Sequence, residues 1–328
     1  MPGDIQPRST AQHRLTAAPA PTIGVQLWER DPEALGRKAA EAEELGFESV
    51  TVGDHVIPGV LPPIAACAAI ASATSRIRFG PLVLNNDLRH PVVLAQEASA
   101  LARWSGGRLE LGLGAGYNRS EYERLGLAFA PLAVRAKRLA EAATIIRELL
   151  AGETVTIEGE HYTVRDVSLG TSTQRVPLLI GGNSAEVLAV AAMHADYVGL
   201  VGYSPGTSTS DLARSGLELQ IGRLRGFAGP RFAELELHVL VQWHEITSDR
   251  QAAAARAASE LEASEEVALD SPYALFGTPE EIAEQLHGDA RRFGISRWTV
   301  FGDRPGLAPA GAFKPVLELL ADQPRSSG

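Results

Sequence analysis

The pair Asp54-His55 is the first candidate for chemistry, because it closely follows an apolar run, Ser49–Val52. A carboxylate beside an imidazole can hold the ring in one tautomer, and a histidine can donate or accept a proton near pH 7. The alternative is ordinary, since an isolated Asp-His pair can also cap a turn and lie at the surface. We predict that both residues are catalytic if the fold brings further functional segments to them.

Two more segments follow apolar runs and suit a flat ligand. Asn85 comes after residues 78–84, and its amide can hydrogen-bond the edge of a planar heterocycle. The segment Gly112–Asn118 (GLGAGYN) contains three glycines, which let the backbone approach a ligand closely, and Tyr117 can stack on such a ligand. The glycine spacing differs from that of a dinucleotide fingerprint, so we exclude a Rossmann site here. Each segment can also be a simple turn between a strand and a helix.

The segment Gly181-Gly182-Asn183 stands immediately before a predicted helix that begins at Ser184. Backbone N–H groups at a helix N-terminus favour an anion, so this arrangement is typical of a phosphate site. The chain has 30 basic and 40 acidic residues, a formal net charge of −10. A protein with this charge must attract an anionic cofactor locally. The structural alternative is that the glycines only ease a tight turn.

Eight apolar runs alternate with amphipathic segments along the chain, and this alternation predicts the fold class. Runs that are apolar throughout are expected of parallel strands buried on both faces. Eight β/α units in about 300 residues indicate an α/β protein, a single-domain (β/α)8 TIM barrel. A hairpin is predicted at 154–165 and one long helix at 249–267. The predicted strands cover residues 22–27, 49–52, 78–84, 108–113, 176–180, 197–200, 235–242 and 298–301.

The competing architecture is a doubly wound open sheet. It predicts a glycine-rich dinucleotide loop in the first β/α turn, but Trp28–Asp31 contains no glycine. We therefore favour the barrel. In a TIM barrel the chemistry lies at the C-terminal ends of the strands, where the segments described above would meet.

Charge and missing motifs restrict the function further. The acidic balance opposes binding to duplex DNA, and the apolar runs are far shorter than the about 20 residues that span a bilayer. Cys67 is the only cysteine, so we expect no intramolecular disulfide and a reducing, cytoplasmic location. No HExxH motif occurs, so we expect no metal. We expect a disordered tail at 1–21, one domain at 22–321 and a second tail at 322–328.

Together these motifs resemble the bacterial luciferase-like flavin and deazaflavin oxidoreductases. The resemblance covers about residues 22–320, and its most specific block is SGGRLELGLGAGYN at 105–118, with Glu121-Tyr122 after it. The blocks VLNNDLRHPVVLAQEAS, EGEHYTV, PLLIGGNS and FGTPEEIAEQL support it. Within this superfamily the chain is most similar to the branch that uses coenzyme F420, a deazaflavin.

The resemblance implies a barrel with an insertion after strand four and a tricyclic cofactor ring in the barrel mouth. It implies that Asp54 and His55 approach the ring, with His55 as proton donor or acceptor. It also implies a non-prolyl cis peptide between Leu82 and Val83, behind the ring. The cofactor-binding residues that we expect are Leu82, Val83, Asn85, Gly114, Ala115, Gly116, Tyr117, Gly181, Gly182 and Asn183.

The expected function is hydride transfer between coenzyme F420 and a small organic substrate with a C=C, C=N, carbonyl or alcohol group. The alternative is an FMN-dependent monooxygenase that uses reduced flavin and O2. The resemblance further implies a homodimer and a separate reductase that supplies reduced cofactor. A third possibility, since luciferase-like families include such subunits, is a barrel without catalytic activity.

Overall fold

The computed structural model describes residues 20–170, 174–202, 212–302 and 304–322. Most of the predicted N-terminal tail, residues 1–19, and most of the C-terminal tail, residues 323–328, lie outside these ranges. The strands are β1 (Thr22–Gln26), β2 (Ser49–Val52), β3 (Arg78–Pro81), β4 (Leu84–Asn85), β5 (Leu111–Gly114), β6 (Val155–Glu158), β7 (Thr163–Val167), β8 (Leu178–Gly181), β9 (Tyr197–Leu200), β10 (Glu236–Leu240), β11 (Trp243–Ile246), β12 (Ala274–Gly277) and β13 (Ile295–Phe301). The α-helices are α1 (Pro32–Leu45), α2 (Pro63–Ala73), α3 (Pro91–Ser105), α4 (Arg119–Leu125), α5 (Leu132–Leu150), α6 (Ala185–His194), α7 (Arg214–Ala228), α8 (Arg250–Glu260), α9 (Glu265–Asp270), α10 (Pro279–Phe293) and α11 (Lys314–Ala321).

Parallel strands form a closed barrel of eight positions. Their hydrogen-bonded order is β3-β2-β1-β13-β10-β9-β8-β5-β4. Strands β3 and β4 are consecutive parts of one barrel position, and a backbone bridge between Phe79 and Leu109 closes the ring. The predicted (β/α)8 TIM barrel is therefore confirmed. The helices α4 and α5 and the β6–β7 hairpin lie between β5 and β8, which is the expected insertion after strand four.

Two predicted elements are wrong in detail. The prediction of one unbroken strand at 78–84 is wrong, because β3 ends at Pro81 and β4 begins at Leu84, with the cis peptide bond between Leu82 and Val83 in the gap. The predicted long helix at 249–267 consists of α8 and α9, and a separate two-stranded parallel sheet, β11–β12, was not predicted. These elements form a second insertion between β10 and β13. Many of their buried side chains are alanines, and these pack with Trp243 in a small hydrophobic core separate from that of the barrel.

Capping residues explain where two helices begin and end. The Asp31 carboxylate accepts the Ala34 N–H at 2.9 Å and begins α1, which ends where Gly46 adopts a φ of 94°. A left-handed backbone of this kind favours glycine. Thr278 and Glu281 form a reciprocal capping box at the start of α10, as the sequence predicts.

The N-terminal half of the barrel interior contains charged groups. One Arg297 nitrogen lies 2.9 Å from both carboxylate oxygens of Glu110, and Arg78 donates to the same carboxylate. The Arg297 guanidinium also lies over the Tyr197 ring, 4.4 Å from its centre. Because a buried charge is costly unless it is paired, these contacts let the barrel accept ionic groups in its interior. Glu110, within the most specific sequence block, is therefore a structural residue.

Candidate active site

Glycines form the floor of the barrel mouth. Gly114 and Gly181 stand at the C-terminal ends of adjacent strands, and Gly181 pairs in register with Gly199 of β9. A Cβ on Gly114 would lie 2.7 Å from a methyl carbon of Val83, and one on Gly181 would lie 3.1 Å from the other. The floor can therefore carry no side chain at these positions while Val83 keeps its place. Gly199 has the same role, with a Cβ position 3.2 Å from the Gly181 backbone, and the sequence did not single it out.

The cis peptide between Leu82 and Val83 lies where the resemblance implies it. It precedes β4 and places the Val83 side chain against the two glycines Gly114 and Gly181. The bowl formed by Val83 and the three glycines is thus built from four separate barrel strands. That these residues contact a flat ligand stays a prediction from the sequence.

Asp54 is an anchor between two loops. Its two carboxylate oxygens accept hydrogen bonds from the Arg89 guanidinium at 2.6 and 3.0 Å, and one of them also accepts the Asn85 backbone N–H at 2.9 Å. The carboxylate is buried. The interpretation that Asp54 holds the neighbouring imidazole therefore differs from the structure, in which these contacts occupy Asp54. These contacts let Asp54 position the mouth loops, and its catalytic role stays a prediction.

The carboxylate that contacts His55 belongs to Glu121. The Nδ1 atom of His55 lies 2.8 Å from Oε1 of Glu121, which is on α4 and only 3% exposed. Because an ionised carboxylate can only accept, Nδ1 carries the proton, and in the neutral imidazole Nε2 then presents its lone pair. Trp28 stacks on the imidazole with ring centres 5.4 Å apart and planes at 20°. His55 is thus fixed in position and in tautomer.

Tyr117 completes this cluster. Its hydroxyl lies 3.4 Å from Nε2 of His55, and the two rings meet edge to face with centres 5.9 Å apart. Partial burial and the Glu121 charge both raise the pKa of Tyr117 above its ordinary value, so the hydroxyl stays protonated at neutral pH. The sequence predicted Tyr117 as a ligand contact, but not its contact with His55.

Hydrogen bonds fix the glycine loop that carries Tyr117. Arg135 donates to the carbonyl oxygens of Ala115, at 2.9 Å, and of Gly116. Gly116 has a φ of 73°, and a Cβ there would lie 2.5 Å from the Asn85 side-chain oxygen. That oxygen already accepts the Tyr122 hydroxyl at 3.0 Å, so only the amide nitrogen of Asn85 remains for a ligand.

The predicted phosphate segment does not present all of its backbone N–H groups to a ligand. The Gly182 N–H donates to the Gly199 carbonyl at 3.0 Å, and the Ser184 hydroxyl accepts the Val187 N–H at 3.2 Å. Gly182 therefore offers no amide proton to a ligand. Within the described residues, the backbone N–H groups of residues 183–186 have no hydrogen-bond partner, so they are the donors available to an anion at the start of α6.

Three arginines near the mouth are already engaged with protein groups. Arg89 binds Asp54, Arg135 binds the glycine loop, and Arg138 forms an ion pair with Asp87 at 2.8 Å. Val56, Ile57 and Tyr117 are exposed apolar or aromatic residues near His55. No group of three metal-ligating side chains occurs among residues 20–170, 174–202, 212–302 and 304–322. No helix in the described part of the chain is long and apolar enough to cross a membrane.

The family model described as luciferase-like monooxygenase matches residues 10–264. The chain belongs to the luciferase-like monooxygenase family. This confirms the resemblance seen in the sequence. The luciferase-like chain is 37% identical over 183 residues to the F420-dependent glucose-6-phosphate dehydrogenase of Microbacterium testaceum (strain StLB037), covering 52% of this chain and 53% of that protein. It therefore spans about half the length of the curated relatives it matches.

Solved structures share the luciferase-like fold. An F420-dependent secondary alcohol dehydrogenase in complex with an F420-acetone adduct has a TM-score of 0.73 and 21% identity, covering 92% of this chain and 99% of that one. The monooxygenase RslO1 from Streptomyces bottropensis has a TM-score of 0.71 and 24% identity, covering 92% and 98%. At these identities the likeness concerns the fold.

Proposed function

We propose that this protein is an oxidoreductase that transfers a hydride between coenzyme F420 and a small organic substrate. The observation that carries the proposal is the imidazole of His55, held by Glu121 at the rim of a glycine-floored bowl. The names of the relatives support it, since one is an F420-dependent sugar-phosphate dehydrogenase and another an F420-dependent alcohol dehydrogenase. A barrel without catalytic activity would have no need for an oriented histidine.

The residues present fit a phosphorylated tricyclic cofactor. Gly114 and Gly181 pack directly against Val83, and Gly199 packs against Gly181, so no glycine side chain stands between these strand ends and a flat ring. The free N–H groups of residues 183–186 would hold the phosphate, and Asn85 would offer its amide nitrogen to the ring edge. When bound, the deazaflavin supplies the two-electron hydride chemistry, and the protein supplies orientation and shielding from water.

His55 would handle the proton that accompanies hydride transfer. Its Nε2 lone pair faces Tyr117, and Glu121 would stabilise the positive charge that the imidazole gains with a second proton. A positioned acid or base of this kind contributes about 10²- to 10⁴-fold to rate. An alcohol or carbonyl substrate therefore fits the site, and a C=C or C=N bond would need the same proton.

The mouth suits an uncharged substrate. Arg89, Arg135 and Arg138 are engaged with protein groups, and the walls include Trp28 and Tyr117. A phosphate ester needs a donor cluster that remains free, and the free amides of residues 183–186 are the ones assigned to the cofactor. We therefore expect small alcohols, ketones or enones to be better substrates than glucose 6-phosphate.

The competing function is an FMN-dependent monooxygenase that receives reduced flavin from a separate reductase. The description of the matched family favours it. Two measurements separate the two functions: dissociation constants for F420 and FMN by absorbance titration, and oxygen uptake during turnover. The proposal expects tighter binding of F420 and turnover that consumes no oxygen. Oxygen-dependent turnover with FMN would establish the monooxygenase instead.

We further propose that the protein is a homodimer. On the outer face of α3, Val93 and Trp104 are exposed, Trp104 to 63%, and Ala65 and Ser72 are exposed on the neighbouring α2. A second copy of the chain would cover this apolar stripe. Native mass spectrometry of wild type and Trp104→Glu tests the dimer, which the charge should dissociate. The cytoplasmic location, the single domain at 22–321 and the tails beyond it remain proposals from the sequence.

A further inference from the structure

The contact with Glu121 sets the direction of the hydrogen bond between Tyr117 and a neutral His55. In the neutral imidazole the Nδ1 proton is donated to the buried Glu121 carboxylate, 2.8 Å away, so Nε2 has a lone pair and no proton. The Tyr117 hydroxyl, 3.4 Å away, is therefore the donor. The phenol oxygen keeps its own lone pairs for a further donor.

The surroundings of His55 leave a substrate few ways to reach it. Trp28 covers one face of the imidazole, and Glu121 occupies Nδ1. The Tyr117 hydroxyl stands at Nε2, the remaining polar atom. Tyr117 itself is 53% exposed at the mouth, whereas Glu121 is buried behind the imidazole. A substrate that enters from solvent therefore finds Tyr117 more accessible than His55, whose side chain is 20% exposed.

We propose that Tyr117 is the residue that exchanges a proton with the substrate, and that His55 and Glu121 act behind it as a relay. The inference rests on the proposed function. In alcohol oxidation the substrate O–H proton passes to the Tyr117 oxygen, and the phenol's own proton passes to Nε2 of His55. The carbinol C–H bond breaks with its electron pair, which the deazaflavin accepts as a hydride, and the C–O bond becomes C=O. Carbonyl reduction runs the same exchanges in reverse.

The rival explanation is that the Tyr117 hydroxyl only occupies the place of the substrate oxygen and moves away when substrate binds. The variant Tyr117→Phe separates the two, because it keeps the ring and its edge contact with His55. A relay residue is needed in the reaction itself, so its loss lowers kcat by about 10²-fold with KM nearly unchanged. A blocking hydroxyl competes with substrate, so its loss lowers KM and leaves kcat equal or higher.

The first test needs neither substrate nor cofactor. Nitrogen-15 NMR of the full chain labelled at histidine reports which ring nitrogen carries the proton, and His55→Gln assigns the signals. The relay predicts an Nδ1–H tautomer in the wild type. It also predicts that Tyr117→Phe moves the Nε2 signal towards that of an unbonded nitrogen, while the signals of His90 stay in place as the internal reference. An Nε2–H tautomer, or an unchanged Nε2 signal in the variant, would overturn the relay.

The second test measures turnover by the loaded enzyme. Wild type and Tyr117→Phe are compared with F420 and 2-propanol, cyclohexanol or glucose 6-phosphate, and an F420 titration of both proteins checks cofactor affinity. The relay expects equal F420 affinity and the loss in kcat given above. Retained kcat in the variant would refute it. Absence of F420 binding in the wild type would refute the proposed function instead. The NMR result would still show whether the Tyr117 hydroxyl donates to Nε2 of His55.

Discussion

The Glu121 carboxylate lies 2.8 Å from Nδ1 of His55, although 66 residues separate them in the chain. Glu121 is on α4, the first helix of the insertion, whereas His55 follows β2. The insertion therefore supplies the group that orients the candidate base of the barrel. This relationship predicts that the orientation and proton transfer of His55 depend on Glu121, a residue outside the regular barrel.

We expect Glu121→Gln to lower kcat, because the amide keeps an oxygen for Nδ1 but no longer stabilises a positive imidazole. The expected loss is about 10- to 100-fold, the range found for carboxylates that orient histidines in metal sites. Glu123→Gln is the matched control, since Glu123 is an exposed residue of the same helix. Steady-state kinetics with the best substrate decides the matter, and equal losses in both variants would contradict the role of Glu121.

The ion pair between Asp54 and Arg89 should contribute to stability rather than to proton transfer. Removing one partner of a buried pair costs about 3 kcal/mol, because the other charge is left without compensation. We expect Asp54→Asn and Arg89→Gln each to destabilise the protein, and the double variant to lose less than their sum. Urea unfolding of the four proteins measures the coupling free energy. Additive losses would show that the pair does not act as a unit.

The glycine floor predicts a pair of compensating substitutions. Gly114→Ala places a Cβ 2.7 Å from a Val83 methyl carbon, and overpacking of this kind costs about 1–3 kcal/mol. Relief of this clash shifts Val83 or the Gly114 backbone at the bowl, so we also expect weaker F420 binding, where a tenfold loss corresponds to about 1.4 kcal/mol of binding free energy. Adding Val83→Ala removes the opposing methyl groups and should restore part of the affinity. Fluorescence titration of the single and double variants measures this recovery, and a double variant weaker than Gly114→Ala would contradict the packing argument.

Local sequence signals predicted the barrel well, because strands and capping residues depend on neighbouring positions. The apolar runs indicated the barrel strands, and Asp31 and Thr278 indicated helix starts that the structure contains. The elements β11 and β12 were missed because they pair with each other outside the barrel and so follow no repeated β/α pattern. Their short runs, WHEI and ALFG, carry no signal that separates them from loops.

The site could be predicted only in part, because its decisive contacts join distant segments. The sequence indicated His55, Tyr117 and the glycines, but not that Glu121 binds His55 or that Arg89 binds Asp54. A sequence motif also does not show which of its residues stabilise the fold and which contact a ligand. In the block at 105–118, the Arg108 side chain donates to three carbonyl oxygens around the end of α2, at residues 71, 74 and 77, each at 3.0 Å. The most specific motif of the chain thus serves the fold as much as the site.

Two buried histidines should make the protein sensitive to acid. Burial lowers the pKa of His238, which bonds Thr299 inside the barrel, to about 3, and it lowers the pKa of His244 to about 4. In the unfolded chain a histidine has a pKa of about 6.5. Between these values the unfolded chain binds a proton that the folded protein does not. Stability is therefore full above pH about 6.5 and falls as the pH drops towards the folded pKa values.

The variant His238→Gln removes one of these titrating groups and keeps an amide that can bond Thr299. The free energy of unfolding should then fall less steeply with acidification, by about 1.4 kcal/mol per pH unit between pH about 4.5 and 6. Urea unfolding at a series of pH values measures both slopes. Above pH about 7 the two proteins should run parallel, whatever the constant loss caused by the substitution, because neither state of either protein then binds the extra proton. Identical slopes in the acidic range would mean that folded His238 takes up a proton as easily as it does in the unfolded chain.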